Sequence, residues 1–162
     1  MTAKSINPTT LELLKEYSFI NETELEAKIS KAELAFKKWK NTPYTEKVEK
    51  FKKLYELMMS QKEELAKLNT LEMWMLYTDA IWDITKSSSN ILFFCDNASK
   101  YLASKEVAEH WVKAKIVYEP LGIIFSIMPW NYPFNQVLRS VVPNIIAWNV
   151  VLMKHASNVP QV

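Results

Sequence analysis

Apolar and polar positions repeat at helical spacing over most of this chain and switch to strand-like runs near its end. Leu25, Ile29, Ala32, Phe36 and Trp39 fall on one helical face, and Asn21 followed by Glu24 reads as a capping box opening that helix. Asn41-Thr42-Pro43 breaks it. Thr45 is then expected to cap a second helix whose face carries Val48, Phe51, Tyr55 and Met58. Ser60 with Glu63 is expected to open a third helix, through Leu65, Leu68 and Leu71. A fourth is predicted from about Thr78 to Leu102, with Ile81, Ile84, Ile91, Cys95 and Leu102 inward and Ser88 interrupting them. Ahead of these helices, an Asn-Pro-Thr-Thr turn signal and Leu13, Leu14, Tyr17 and Phe19 predict a short strand or hairpin within residues 5 to 20.

The later pattern differs. Val112 to Tyr118 alternates moderately, as a strand does. Leu121 to Phe125 is a continuous apolar run, Phe134 to Ala147 has helical length, and Val150 to Met153 is a second apolar run. Strand, turn, helix and strand make a βαβ unit, the building block of a parallel sheet. The expected fold class is therefore α/β, with N-terminal helices followed by the first βαβ unit of an incomplete parallel sheet. A boundary is expected near residues 103 to 111, dividing an N-terminal hairpin and helical segment (1–110) from the α/β start (111–162). Ligands of such sheets bind beyond the carboxyl ends of the strands. Trp130-Asn131 and Lys154 to Ser157 both fall at such ends.

Composition narrows the classes. A formal net charge of +2 gives no argument for nucleic acid or a membrane surface. Residues 1–110 carry 16 basic and 17 acidic groups, against 4 and 1 in residues 111–162, so the sheet-forming end is mildly cationic. A single cysteine, Cys95, excludes an internal disulfide, and neither it nor the histidines His110 and His155 form a metal-ligand spacing. No metal site is expected. No signal-peptide pattern opens the chain, and a cytoplasmic location is the default expectation. Glycine is abnormal: Gly122 stands alone where average usage near 7% would place about eleven.

Glu119-Pro120-Leu121-Gly122, Pro129-Trp130-Asn131-Tyr132-Pro133, and Lys154-His155-Ala156-Ser157 with Pro160 resemble the start of the cofactor domain of the aldehyde dehydrogenase superfamily. The likeness is closest to the succinate-semialdehyde dehydrogenases. It runs from Ile6-Asn7-Pro8-Thr9-Thr10 to the last residue and includes Thr70-Leu71-Glu72-Met73. The resemblance implies that residues 111–162 begin an NAD(P)-binding Rossmann-like domain. Enzymes of the family are several times longer, so it also implies an amino-terminal piece, truncated before the catalytic cysteine and glutamate. The family has glycine where this chain has Leu11, Trp74, Ser126 and Trp148.

By this resemblance Asn131 donates its side-chain amide to the oxyanion formed when a thiolate attacks an aldehyde, a task that needs a fixed neutral donor. Read by itself, Asn131 is more commonly a turn residue bonding its own backbone. Lys154 would bind the cofactor ribose or the nearby phosphate. Ser157 leaves room for a 2′-phosphate, where a glutamate would favour NAD. Met128, Pro129 and Trp130 would line the nicotinamide-ribose side; otherwise they form a buried turn, and Lys154 a solvated strand end. In relatives specific for semialdehydes a cationic residue near Arg139, the only arginine, can face the substrate carboxylate, but a surface helix position is the more usual account of it. Cys95 lies in an apolar helical stretch without an activating partner and reads as a small hydrophobe. His110 and Trp111 suggest nothing specific.

The expectation is an oxidoreductase-related chain without turnover of its own and with weak or absent NAD or NADP binding. Trp148 at the helix end would be costly at positive φ, unless Asn149 takes the left-handed conformation instead. The expected partners are a C-terminal complementing polypeptide or a second copy of this chain. A non-enzymatic helical interaction module is the remaining alternative.

Overall fold

The structure is a computed structural model and describes residues 2–109 and 111–162; His110 lies outside them. An N-terminal hairpin, β1 (Thr2–Ile6) and β2 (Leu13–Ser18), precedes four helices: α1 (Glu22–Trp39), α2 (Tyr44–Ser60), α3 (Lys62–Met73) and α4 (Tyr77–Tyr101). Then come β3 (Lys105–Glu109), β4 (Val112–Ile116), β5 (Ile123–Ile127), α5 (Pro133–Ile146) and β6 (Val150–Lys154). The strands form three two-stranded sheets. β1–β2 and β3–β4 are antiparallel, and β5–β6 is parallel, as a helical crossover requires. The α/β class read from the pattern is the observed one. β3 pairs with β4 from Lys105 opposite Ile116 to Glu109 opposite Val112, and β3 had no counterpart in the sequence pattern.

Local signals decide some helix ends and not others. Asn21 caps α1 as the spacing implies: its Oδ1 accepts from Glu24 N at 2.9 Å, and Glu24 Oε2 accepts from Asn21 N at 2.8 Å. Thr45 does not cap α2. Pro43 holds the extended entry (φ −55°, ψ 144°) and the helix begins at Tyr44. The Tyr44 hydroxyl donates to Cys95 O at 2.7 Å and accepts from Ser99 N at 3.3 Å, which ties the start of α2 to α4. Ser60 does not open α3 either. It ends α2, its hydroxyl donating to Leu57 O at 2.8 Å, and Gln61 alone separates the two helices.

The core lies among α2, α3, α4 and α5. Phe51, Met58, Ala66, Ile84, Ile91, Cys95, Leu138, Val142 and Ile146 form one buried cluster. The inward face of α3 is Ala66, Asn69 and Glu72, while Leu71 is exposed. Ser88 does not interrupt the face of α4: it is buried there, its hydroxyl bonded to Ile84 O at 2.8 Å. α1 lies against β6 and β5, and α5 packs on both α4 and the parallel sheet.

The glycine shortage has a structural consequence. Among the described residues, Leu11 (φ 60°), Trp74 (φ 57°), Tyr132 (φ 51°) and Trp148 (φ 64°) take the left-handed conformation without being glycine. Three of these are positions where the family resemblance implies glycine; at the fourth such position, Ser126 sits in β5 and its hydroxyl meets Ser140 at 3.2 Å. Trp148 itself, not Asn149, takes the left-handed turn of a Schellman helix end, with Asn149 N bonded to Asn144 O at 3.0 Å and Trp148 N to Ile145 O at 3.2 Å, while the Asn149 Oδ1 accepts from Gly122 N at 3.0 Å. Gly122 (φ 122°) is kept for conformation rather than space, since an added Cβ would meet nothing within 4 Å.

Trp148 has a compensating contact. Lys47 is fully buried, with its Nζ 5.0 Å from the Trp39 ring centroid and 5.4 Å from that of Trp148. Such contacts are worth roughly 0.5–2 kcal/mol each. Its ammonium has no hydrogen-bond partner among the described residues, and burial lowers its pKa from 10.5 to about 8.

Leu11→Gly and Trp74→Gly test the strain where exposed side chains contribute little else. Each should raise stability in urea unfolding by about 1 kcal/mol, the usual cost of a left-handed non-glycine residue. The unfolded chain holds the Lys47 proton more tightly than the folded one. Stability contributed by this group is therefore complete above 10.5 and is lost as the pH falls through about 8. Unfolding free energy should rise between those values in the parent chain, and that rise should shrink in Lys47→Met.

Candidate functional site

β5 and β6 run side by side in register, from Ile123 opposite Val150 to Ile127 opposite Lys154. One further backbone bond, Met128 N to Lys154 O at 3.0 Å, extends the pairing past the strand ends. The segment 128–131 therefore leaves the sheet beside the segment 154–157. This brings together the residues singled out in the sequence: Met128 is buried against the fold, while Pro129, Trp130, Asn131, Lys154 and Ser157 are exposed at one end of the sheet. Among the described residues the Asn131 amide makes no bond to its own turn, unlike Asn7, whose Oδ1 accepts from Thr9 N at 2.9 Å and Thr10 N at 3.3 Å. Arg139 is exposed on α5.

The helix start next to Asn131 is built from outside its own sequence. Pro133 occupies the first turn, where its missing N–H costs nothing, but Tyr132 at the N-cap is left-handed and supplies no side-chain cap. Asp83 of α4, fully buried, supplies the acceptor: its Oδ1 takes Asn135 N at 3.1 Å. Asn69 Nδ2 donates to the other carboxylate oxygen at 3.3 Å. Burial pushes the Asp83 carboxyl above the usual carboxylate range, and the bonds from Asn135, Phe134, Ser87 and Asn69 pull it back. Beside it, Trp82 meets Tyr132 edge to face, with ring centroids 6.0 Å apart.

The other segment is held by Glu72 at the end of α3. Its carboxylate accepts from Gln161 N at 3.0 Å and Val162 N at 3.0 Å, and Gln161 Nε2 donates to Ser5 Oγ at 2.8 Å. His155 sits beneath, its Nδ1 accepting from Ala156 N at 2.9 Å. Burial lowers its pKa and Glu72 opposes the shift. A cleft of about 390 Å³, lined by Lys4, Ile6, Glu72, Met73, Trp130 and Asn158, adjoins this end of the sheet. An apolar cleft of about 450 Å³, lined by Trp39, Ile145 and Val150 among others, lies at the opposite end of β6 and away from the candidate residues.

Sequence reading missed Asp83, Glu72 and Asn69. Their positions on otherwise apolar helical faces were the available signal; their partners lie too far along the chain to be seen. Cys95 is buried in the core of α4, with its thiol pushed up by burial and then by Asp96, while Lys52 opposes. This environment disfavours a thiolate. Among the described residues no group of acidic, histidine and cysteine side chains could hold a metal, and no helix is long and apolar enough to cross a membrane.

The aldehyde dehydrogenase family model matches residues 1–162. The chain belongs to the aldehyde dehydrogenase family. A probable succinate-semialdehyde dehydrogenase, NADP(+), from Synechocystis sp. is 35% identical over 161 residues, 99% of this chain and 36% of the relative's length. The succinate-semialdehyde dehydrogenase, NADP(+), of Deinococcus radiodurans is 34% identical, covering 97% of this chain and 33% of that protein. Among solved structures, succinic semialdehyde dehydrogenase from Streptococcus pyogenes in complex with NADP+ superposes with a TM-score of 0.94 at 25% identity, over 98% of this chain and 35% of that one. This aldehyde dehydrogenase-family chain thus spans about a third of the length of the relatives it matches.

The tie between Glu72 and the segment after β6 is open to direct measurement. Glu72→Ala should leave two backbone N–H groups without their acceptor, a loss of about 1–3 kcal/mol. Faster hydrogen exchange at Gln161 and Val162, with the amides of α4 unchanged, is the expected outcome.

Proposed function

We propose that this chain carries the oxyanion-binding corner and one wall of the nucleotide groove of an NADP-linked aldehyde oxidation, with succinate semialdehyde as the aldehyde, and that it is catalytically silent alone. The observation that carries the reading is the in-register pairing of β5 with β6, which sets the Asn131 turn beside Lys154 and Ser157. Asn131 Nδ2 is an exposed neutral donor at a helix start, suited to the negative charge that develops on an aldehyde oxygen under attack. The residues present fit one side of a dinucleotide. Lys154 offers a cation to ribose or phosphate oxygens, and Ser157 presents no carboxylate to repel a 2′-phosphate. A bound nicotinamide would supply the hydride acceptor; Cys95 is buried in α4 with its thiol pushed up by burial, so on this reading the nucleophile, and with it the general base, comes from elsewhere.

A specific observation favours a second reading, in which a separate polypeptide completes the enzyme. Strand residues alternate faces, and on the face of β5 away from Ser126, Phe125 and Ile127 are 65% and 66% exposed. Apolar side chains in the middle of a parallel sheet are ordinarily covered on both faces. A polypeptide bearing the thiol, the base and the remaining strands is the partner this surface suits; self-association of the chain is the competing use.

Purified 1–162 should form no NADPH from succinate semialdehyde, and turnover by it would refute the silent reading. Mixed or co-expressed with the remaining portion of the Deinococcus radiodurans relative, it should gain that activity if the second reading holds. In the mixture Asn131→Ala should lower kcat by about a hundredfold to a thousandfold, the usual cost of one oxyanion donor. A well-folded but inactive mixture would remove the complementing role.

A further inference from the structure

We infer that Asp83 is the positioning residue of the Asn131 turn, fixing its geometry from a neighbouring helix; the inference rests on the oxyanion role proposed for Asn131. Four backbone N–H groups open every α-helix and need acceptors, and a cap normally comes from the residue just before it. In α5 that residue is Tyr132, left-handed and without a side-chain bond to the helix. The acceptor comes instead from Asp83, 52 residues earlier, whose Oδ1 takes Asn135 N at 3.1 Å. A carboxylate at this end also meets the positive end of the helix dipole.

The carboxylate cannot swing freely. Asn69 of α3 holds its Oδ2 at 3.3 Å, and Ser87, one turn along α4, places its hydroxyl 3.4 Å from Oδ1. The groups facing it are Asn69, Ser87 and the backbone N–H groups of Phe134 and Asn135, none of which titrates. The next residue back, Trp82, presses edge-on to Tyr132. Consecutive residues of α4 thus grip both Tyr132 and the first turn of α5, and Asn131 is the residue immediately before this gripped segment. Asn131 itself has no protein bond among the described residues, so its direction in space follows from the placement of Tyr132 and α5.

The experiment is amide NMR of the 1–162 chain, following the Asn131 side-chain amide, the Trp130 indole N–H and the Asn135 backbone amide. In the parent chain all three should titrate together, following a carboxyl raised above the usual carboxylate range by burial. In Asp83→Asn, which keeps an acceptor but not the titration, the three signals should stay near their parent positions and lose the pH dependence. In Asp83→Ala, the Asn131 and Trp130 signals should shift or broaden and Asn135 should exchange at least tenfold faster. Asp79→Asn, an exposed change on the same helix, should move none of them. The inference fails if the Asn131 and Trp130 signals are unmoved in a folded Asp83→Ala chain. Should that variant not fold, the titration decides: Asn131 and Trp130 signals that ignore pH in the parent, or that keep a titration in Asp83→Asn, overturn it. None of these readouts depends on turnover, so failure of the oxyanion role would leave them intact.

Discussion

The arrangement depends on how α5 is seated. This helix must lie on the parallel pair β5–β6 and against α4 at once, and its first turn must find acceptors without a local cap. Asp83 solves the second problem from within the helical core. The solution is costly in isolation, because a buried carboxylate is desolvated. It holds because the carboxylate meets backbone donors and two polar side chains rather than apolar walls. The consequence reaches the surface: the turn Pro129 to Tyr132 leaves the sheet in one direction, beside Lys154.

The two segments of the candidate site are tied down by the same device. Asp83 fixes the segment entering α5, and Glu72 fixes the segment following β6. Each is an acidic side chain projecting from the inward face of a helix toward backbone N–H groups of the α/β part. The helical segment therefore acts as a rigid mount for the strand-end loops. Apolar packing alone could hold α5 on the sheet, but it lacks the direction that hydrogen bonds give to the loop backbone.

The left-handed positions show a different economy. Leu11, Trp74 and Trp148 hold left-handed backbone that glycine would take without strain. Conformation is evidently imposed by the surrounding fold strongly enough to outweigh about 1 kcal/mol per residue. Trp148 recovers part of that cost by roofing Lys47 together with Trp39. Leu11 and Trp74, largely exposed, show no comparable return.

Much of this was legible in the sequence, for reasons that are local. The Asn21–Glu24 cap works over three residues, helical faces repeat within a turn, and the apolar runs around Phe134 to Ala147 mark the βαβ unit. The apolar run ahead of Pro129-Trp130-Asn131-Tyr132-Pro133 is enough to set Asn131 at a strand end. What the sequence left open depends on distant partners. Thr45 and Ser60 have the composition of caps, yet Tyr44 is drawn to Cys95 and Ser99 on α4, and Gln61 alone parts α2 from α3. β3 becomes a strand through its pairing with β4, not through a strong pattern of its own. The amino-acid order by itself determined the helices and the βαβ unit, because periodicity and capping act within a few positions, and its resemblance to a known family is what singled out Asn131, Lys154 and Ser157. Only the tertiary structure decided that Asp83 and Glu72 would hold the loops and that Trp148 would cover Lys47, because such contacts join residues tens of positions apart.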